Sequence, residues 1–277
     1  MDVLSLLHAG AHPGLTAFFS LHYLGLFLPA AVILFSLTPK KGKKYTLLLL
    51  SLGFYWLISG VLIGYLAASV AVLWGCGLWM NALQKKRDIA VKAAEKPDRK
   101  AIKKKYNGYC RLIMGLAVAA HIALILVLKY SGFFMMNVNA LFGTGFAVPE
   151  YLKPLGISFF ILQSVSYLVD VYRQTIPADG NPLRLLLFVS FFPQIVEGPI
   201  CRYGQTAQQL WEVQPIRYEN LTAGLQRILW GLMKKLVVAD RLNPFVEELF
   251  SHHTGYPGWL SLLGAVLYTV QLYMDFS

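Results

Sequence analysis

The feature that most constrains this chain is the alternation of long apolar runs with tight clusters of basic residues. Apolar runs cover about Leu21–Leu37, Tyr45–Ile58, Val61–Leu83 and Tyr109–Leu128. The first two are separated by Lys40, Lys41, Lys43 and Lys44. The last two are separated by a segment holding Lys85, Lys86, Arg87, Lys92, Lys96, Arg99, Lys100, Lys103, Lys104 and Lys105. A water-soluble globule of 277 residues cannot hide 56% hydrophobic side chains, because its surface must still face solvent. Charged residues make up only 14%, which excludes a soluble enzyme, a disordered tail and a disulfide-stapled secreted module. The expected class is an all-α, polytopic transmembrane protein.

The net charge of +11 is therefore read by position. In the long basic loop, residues 84–108, only Asp88, Glu95 and Asp98 oppose the ten basic residues. Two apolar runs separate it from the lysines at 40–44, so both clusters fall on one side of a membrane. The excess of Lys and Arg makes that side cytoplasmic and puts the N-terminus outside. The segment carries no aromatic between Lys85 and Lys105, so nucleic-acid binding is not expected. Attraction to anionic lipid headgroups, or to an anionic thioester donor, fits its charge better.

The residues before Leu21, with His8, His12 and Pro13, read as a short outer segment without signal-peptide character. A tight turn is expected at Ser59-Gly60, and the fourth run is expected to end at Lys129-Tyr130. Residues 131–153, with Gly143, Gly145 and Pro149, read as interfacial. Pro154 opens a further span, to Tyr172, with Arg173 at its inner end.

From there the pattern changes. Leu183–Val196 is apolar but is followed at once by Glu-Gly-Pro-Ile-Cys-Arg, residues 197–202, and Pro193 and Pro199 break any continuous helix. A broken segment at membrane depth is tolerated only where protein or a watery cavity covers it. Residues 183–203 are therefore expected to form a re-entrant or discontinuous helix beside a cavity. Leu221–Asp240 carries Arg227, Lys234 and Lys235 and is expected partly at the inner interface. The last apolar run, Trp259–Phe276, has no flanking polar residues to seat it. This predicts one membrane domain over 1–277, truncated at Ser277.

Ionisable groups at membrane depth are costly, so Asp170, Glu197, Arg202, Lys234, Asp240 and Asp275 are candidates for function. Asp170 with Arg173, and Glu197 with Arg202, are expected to pair. Cys76, Cys110 and Cys201 match no zinc or disulfide framework and read as packing thiols, with Cys201 a candidate cavity residue. His121, inside a span, is expected to be structural. His252 and His253 lack a nearby third ligand, so no metal site is expected.

Four ordered motifs carry a resemblance. Pro154-Leu-Gly-Ile-Ser-Phe-Phe with Ser166-Tyr-Leu-Val-Asp-Val-Tyr-Arg173 is the first. The second is Phe191-Phe-Pro-Gln-Ile-Val-Glu-Gly-Pro-Ile-Cys-Arg-Tyr203. Gly231-Leu-Met-Lys-Lys-Leu-Val-Val-Ala-Asp-Arg241 and Tyr268-Thr-Val-Gln-Leu-Tyr-Met-Asp-Phe-Ser277 complete the set. Together they resemble the membrane-bound O-acyltransferases of the alginate O-acetyltransferase type, over nearly the whole chain. The D-alanyl transferase branch acting on teichoic acids is related. The resemblance implies transfer of an acyl group, acetyl by analogy, from a cytoplasmic thioester such as acetyl-CoA to a hydroxyl of an envelope polysaccharide. A secreted or membrane-anchored partner transferase is a further implied partner, and no bound cofactor is implied. In the family the invariant histidine follows the fourth motif, beyond Ser277, so no catalytic residue is carried over. Tunnel or substrate-binding candidates are Pro193, Gln194, Glu197, Gly198, Pro199, Arg202, Tyr203, Gln271, Tyr273 and Asp275. A small transporter or channel, and a non-catalytic accessory subunit, are the competing readings.

Overall fold

The computed structural model describes residues 19–148, 151, 153–213, 215–252 and 255–277. His8, His12, Pro13, Pro149 and His253 lie outside the described residues. The chain divides after Gln214 into two compact units, each described by itself. All regular structure among the described residues is helical.

In the first unit a π-helical turn, His22–Phe27, leads into α1 (Leu28–Leu37). Thr38 precedes Pro39 and is pushed to ψ 134, which stops the helix. α2 (Lys43–Ser59) ends at Gly60, whose φ of 54 permits the sharp change of direction expected there. α3 (Ile63–Ala93) and α4 (Asp98–Ile125) form a long hairpin. A π turn at Leu126–Tyr130 joins α4 to α5 (Ser131–Phe142), and Gly143, at φ 63, ends the helix in the left-handed region.

Two expectations are corrected here. The basic segment 84–108 is helical except around 94–97, where Pro97 forces the reversal. Lys, Arg, Gln and Ala favour helix whatever their charge, and no Gly or Pro lies between Gly77 and Pro97. Nor does the fourth run stop at Lys129-Tyr130: the π turn absorbs the irregularity and the helix continues to Phe142.

Lys43–Ala93 and Asp98–Phe142 are long and apolar enough to cross a membrane, and His22–Leu37 is a shorter apolar helix. Large apolar side chains such as Leu49, Trp79, Leu112 and Leu116 face outward. Water would not tolerate this surface and lipid does. The chain is an all-α membrane protein.

The core of this unit gathers on α6 (Ile157–Arg173). Most of its buried residues, Ile157, Phe160, Ile161, Ser164, Tyr167, Leu168 and Val171, recur at three- and four-residue steps and form one stripe, with Gln163 buried beside it. That stripe packs against α3 and α4. Small residues permit the approach: Gly77 on α3 meets the Tyr167 ring, and a Cβ there would lie 3.1 Å from its hydroxyl. Polar contacts set the register. At one end the Tyr55 hydroxyl donates to the Leu155 carbonyl at 3.0 Å, and the Leu155 N–H donates to Ser59 Oγ at 3.3 Å. At the other, Gln84 Nε2 donates to the Val171 carbonyl at 3.0 Å, and Arg87 donates to Gln174 Oε1 at 2.9 Å. α6 therefore runs parallel to α3. His121 sits between α4 and α3 as a structural residue: Ala117's carbonyl can only accept, so Nδ1 donates to it at 2.7 Å, and Ser69 Oγ lies 2.7 Å from Nε2.

α7 (Pro182–Ser190) and α8 (Tyr203–Trp211) complete this unit. The second unit holds α9 (Tyr218–Met233), a π segment at Lys234–Ala239, α10 (Asp240–Ser251) and α11 (Gly258–Phe276). α10 and α11 are antiparallel, with Gly264 against Leu249 and Gln271 bonded to Asn243 at 2.9 Å.

Candidate functional site

The second motif builds a re-entrant hairpin. Pro182 starts α7 at a position where its missing N–H costs nothing, and the Asn181 side chain caps the Leu183 N–H at 3.0 Å. The helix ends at Ser190. Residues 191–198 then turn, with the Gln194 and Ile195 N–H groups on the Phe191 carbonyl at 2.9 and 3.1 Å and the Gly198 N–H on the Gln194 carbonyl at 3.0 Å. A side chain at Gly198 would overlap the Gln194 backbone, so this turn requires glycine. The chain then passes Pro199 without regular structure and returns, extended at Arg202, to begin α8 at Tyr203.

The two feet of the hairpin meet at Asp179. Its carboxylate is fully buried and accepts from Arg184 Nε at 2.5 Å and from a second guanidinium nitrogen at 2.6 Å. Arg184 lies in the first turn of α7. The Tyr203 hydroxyl, at the start of α8, donates to the same carboxylate. The Asn181 N–H adds a fourth bond at 2.8 Å, and the Asp179 N–H donates to the Tyr167 hydroxyl at 3.0 Å. The segment thus enters and leaves at one end, as the broken apolar run predicts. Asp179 and Arg184 were not among the sequence candidates. The Asp-Gly-Asn-Pro run ahead of an apolar helix, with an arginine five residues after the acid, is the signal that marks them.

The far end of the hairpin is held by the first motif. Gly156, at φ 72, faces the Ile195 carbonyl so closely that any Cβ would overlap it. The Phe192 N–H donates to Ser51 Oγ at 3.3 Å, and the Phe192 ring packs against Phe27 and Phe54.

The predicted residues divide accordingly. Gln194 bridges the hairpin's limbs, donating to Cys201 Sγ at 3.1 Å, while its Oε1 is buried without a partner. Tyr203 is buried; Pro193 and Gly198 are half-buried turn residues; Glu197, Pro199 and Arg202 are exposed on this unit. The expected Glu197–Arg202 pair is absent among the described residues, and both side chains are exposed. Asp170 and Arg173 do not pair either: Arg173 ends α6 on its exposed side, whereas Asp170 is half-buried. In the second unit, Asp275 and Asp240 both bind Lys235, at 2.7 and 3.1 Å. Lys234 donates to Ser277 Oγ at 3.0 Å, Gln271 holds Asn243, and Tyr273 is exposed. His252 bonds Glu248 at 3.1 Å on the surface. Among the described residues no cluster of three or more His, Cys, Asp or Glu is arranged to hold a metal.

No family model matches the chain. Individual relatives do. The probable alginate O-acetylase of Azotobacter vinelandii is 31% identical over 263 residues, 92% of this chain and 48% of that protein. The same-named protein of Pseudomonas putida is 31% identical, again over 92% of this chain. The chain is thus similar to alginate O-acetylases over nearly all of its own length. It also aligns with the peptidoglycan O-acetyltransferase of Helicobacter pylori, 33% identical over 62% of this chain and 37% of that protein. The teichoic acid D-alanyltransferase of Bacillus subtilis is 29% identical over 44% of this chain and 32% of that protein. The chain spans about half the length of the curated relatives it matches.

Proposed function

We propose that the protein to which this chain belongs transfers an acyl group, acetyl in the first instance, from a cytoplasmic thioester such as acetyl-CoA to a hydroxyl of an envelope polysaccharide. The observation that carries this is the similarity to alginate O-acetylases across 92% of the chain, which includes the hairpin motif. In this reading the protein is a multi-pass protein of a bacterial plasma membrane, and the Pro193–Tyr203 hairpin walls the passage where donor and acceptor meet. Gln194 and Arg202 are its candidate contacts. A rigid, water-poor wall suits the chemistry, since water competes with the alcohol for the thioester. Positioning the acceptor hydroxyl beside a general base is the remaining requirement.

The orientation has support from proximity. Arg87 bonds Gln174, Ile176 touches Gly204, and Lys44 lies 4.8 Å over the Trp211 ring at the other end of α8. Both basic clusters therefore adjoin one end of the unit, the end at which the hairpin opens, and the positive-inside rule makes that end cytoplasmic.

The test is incorporation of labelled acetyl from acetyl-CoA into polymer by membranes carrying the complete gene product, with any partner transferase supplied. Alkali-labile label in the polymer supports the reading. Label retained only as free acetate, or none transferred, overturns it. The Bacillus similarity favours a second reading, D-alanyl transfer, which the same assay separates by using a D-alanyl thioester donor.

A further inference from the structure

We propose that α1 and α2 form a binding site for one anionic phospholipid, with an acyl chain in the cleft between the helices and the headgroup on the lysine turn. The inference is independent of the acyl-transfer reading. The helices touch at two levels. Near the turn, the Thr38 and Thr46 hydroxyls bond at 3.0 Å; deeper, the Phe27 and Phe54 rings pack at 4.9 Å. Between and beyond these contacts lies a cleft of about 640 Å³, lined by Leu34, Leu49, Gly53 and Trp56 with Thr38 and Thr46 at its rim. Gly53 opens it: nothing lies within 4 Å of where its Cβ would be.

Length and charge select the occupant. From Thr46 to Leu57 the helix rises about 16 Å, close to half of a hydrocarbon core of about 30 Å, so the cleft takes one leaflet's acyl chain. The rim threonines bracket the turn that carries Lys40 and Lys41, both exposed. Its other two lysines are committed to rings: Lys43 Nζ lies 4.4 Å over Phe35, and Lys44 lies over Tyr45 and Trp211. Tyr45 and Trp211 mark the interfacial level at which a headgroup sits. A phosphate there meets two unshielded ammonium groups, and zwitterionic lipid gains less from them.

Trp56 reports directly on occupancy. The full chain is reconstituted in phosphatidylcholine vesicles holding a minor fraction of brominated phosphatidylglycerol or brominated phosphatidylcholine. The Trp56-dependent quenching is the difference between wild type and Trp56→Phe. The expected result is a roughly tenfold preference for the anionic lipid, reduced to near none in Lys40→Gln/Lys41→Gln. Gly53→Leu, which fills open space, is expected to weaken quenching by both lipids. Equal quenching by the two lipids would mean ordinary annular lipid and overturn the site. So would a preference that survives loss of both lysines, or protection of Trp56 from both lipids by another part of the chain.

Discussion

Replacing Asp179 tests whether the hairpin is clamped at its feet. The Asp179 carboxylate is fully buried and takes bonds from Arg184, Tyr203 and the Asn181 N–H. Asp179→Asn keeps the shape and removes the charge, and turns an NH₂ toward donors that need an acceptor. Losing charge-assisted bonds of this kind costs about 2 kcal/mol. Asp179→Ala strands all three donors and belongs to the class of broken buried pairs worth about 3–5 kcal/mol, at the lower end here because Arg184 is one-third exposed and keeps some hydration. The cost falls on local opening of the 182–203 segment, so thiol labelling of Cys201 is the assay. About 2 kcal/mol raises its opening-limited rate roughly 30-fold in Asp179→Asn. Tyr203→Phe, which removes one donor, is expected to raise it less. Cys110, buried on α4, is the internal control read by mass spectrometry on the same sample. A Cys201 rate within twofold of wild type, or one that rises in step with Cys110, would refute the clamp.

Gly156→Ala places a Cβ on the Ile195 carbonyl and forces a non-glycine residue to φ 72, a conformation costing about 1–2 kcal/mol before the clash; a lowered unfolding temperature in detergent is expected, with Gly53→Ala as the unclashing comparison. In the complete enzyme, Arg202→Ala is expected to reduce acyl transfer to polymer more than Lys100→Ala, and equal rates would remove Arg202 from the wall. A single cysteine at position 100 should react with an impermeant reagent only from the cytoplasmic face; labelling from outside would invert the topology.

What could be read from sequence depended on the range of the interaction. The apolar runs and the break at Pro193 and Gly198-Pro199 are local properties, so both were legible. The basic segment misled because charge density suggests a solvated loop, while the backbone follows the helix preference of Lys, Arg and Ala. The expected Glu197–Arg202 pair failed because proximity in sequence is not proximity in space where no helix fixes the spacing. Asp179 escaped notice for the converse reason, since its partner Tyr203 lies 24 residues away.

The same reasoning explains why the first two motifs occur together. Tyr55 and Ser59 hold Leu155, which fixes the Gly156 backbone that receives Ile195. Tyr167, later in the first motif, bonds the Asp179 backbone and stacks edge-on with Tyr203, the last residue of the second. The two motifs are thus complementary halves of one contact surface, with the hairpin tip seated at Gly156 and its feet at Tyr167. Lipid supplies little hydrophobic drive to hold a broken segment in place, so the close backbone approach and the buried polar clamp must do it. On this argument a paired change, Gly156→Ala with Asp179→Asn, should release both ends at once and open the segment by more than the sum of the single effects. Labelling rates at Cys201 that merely multiply, so that the opening free energies add, would instead make the tip and feet independent, and the motifs separate devices.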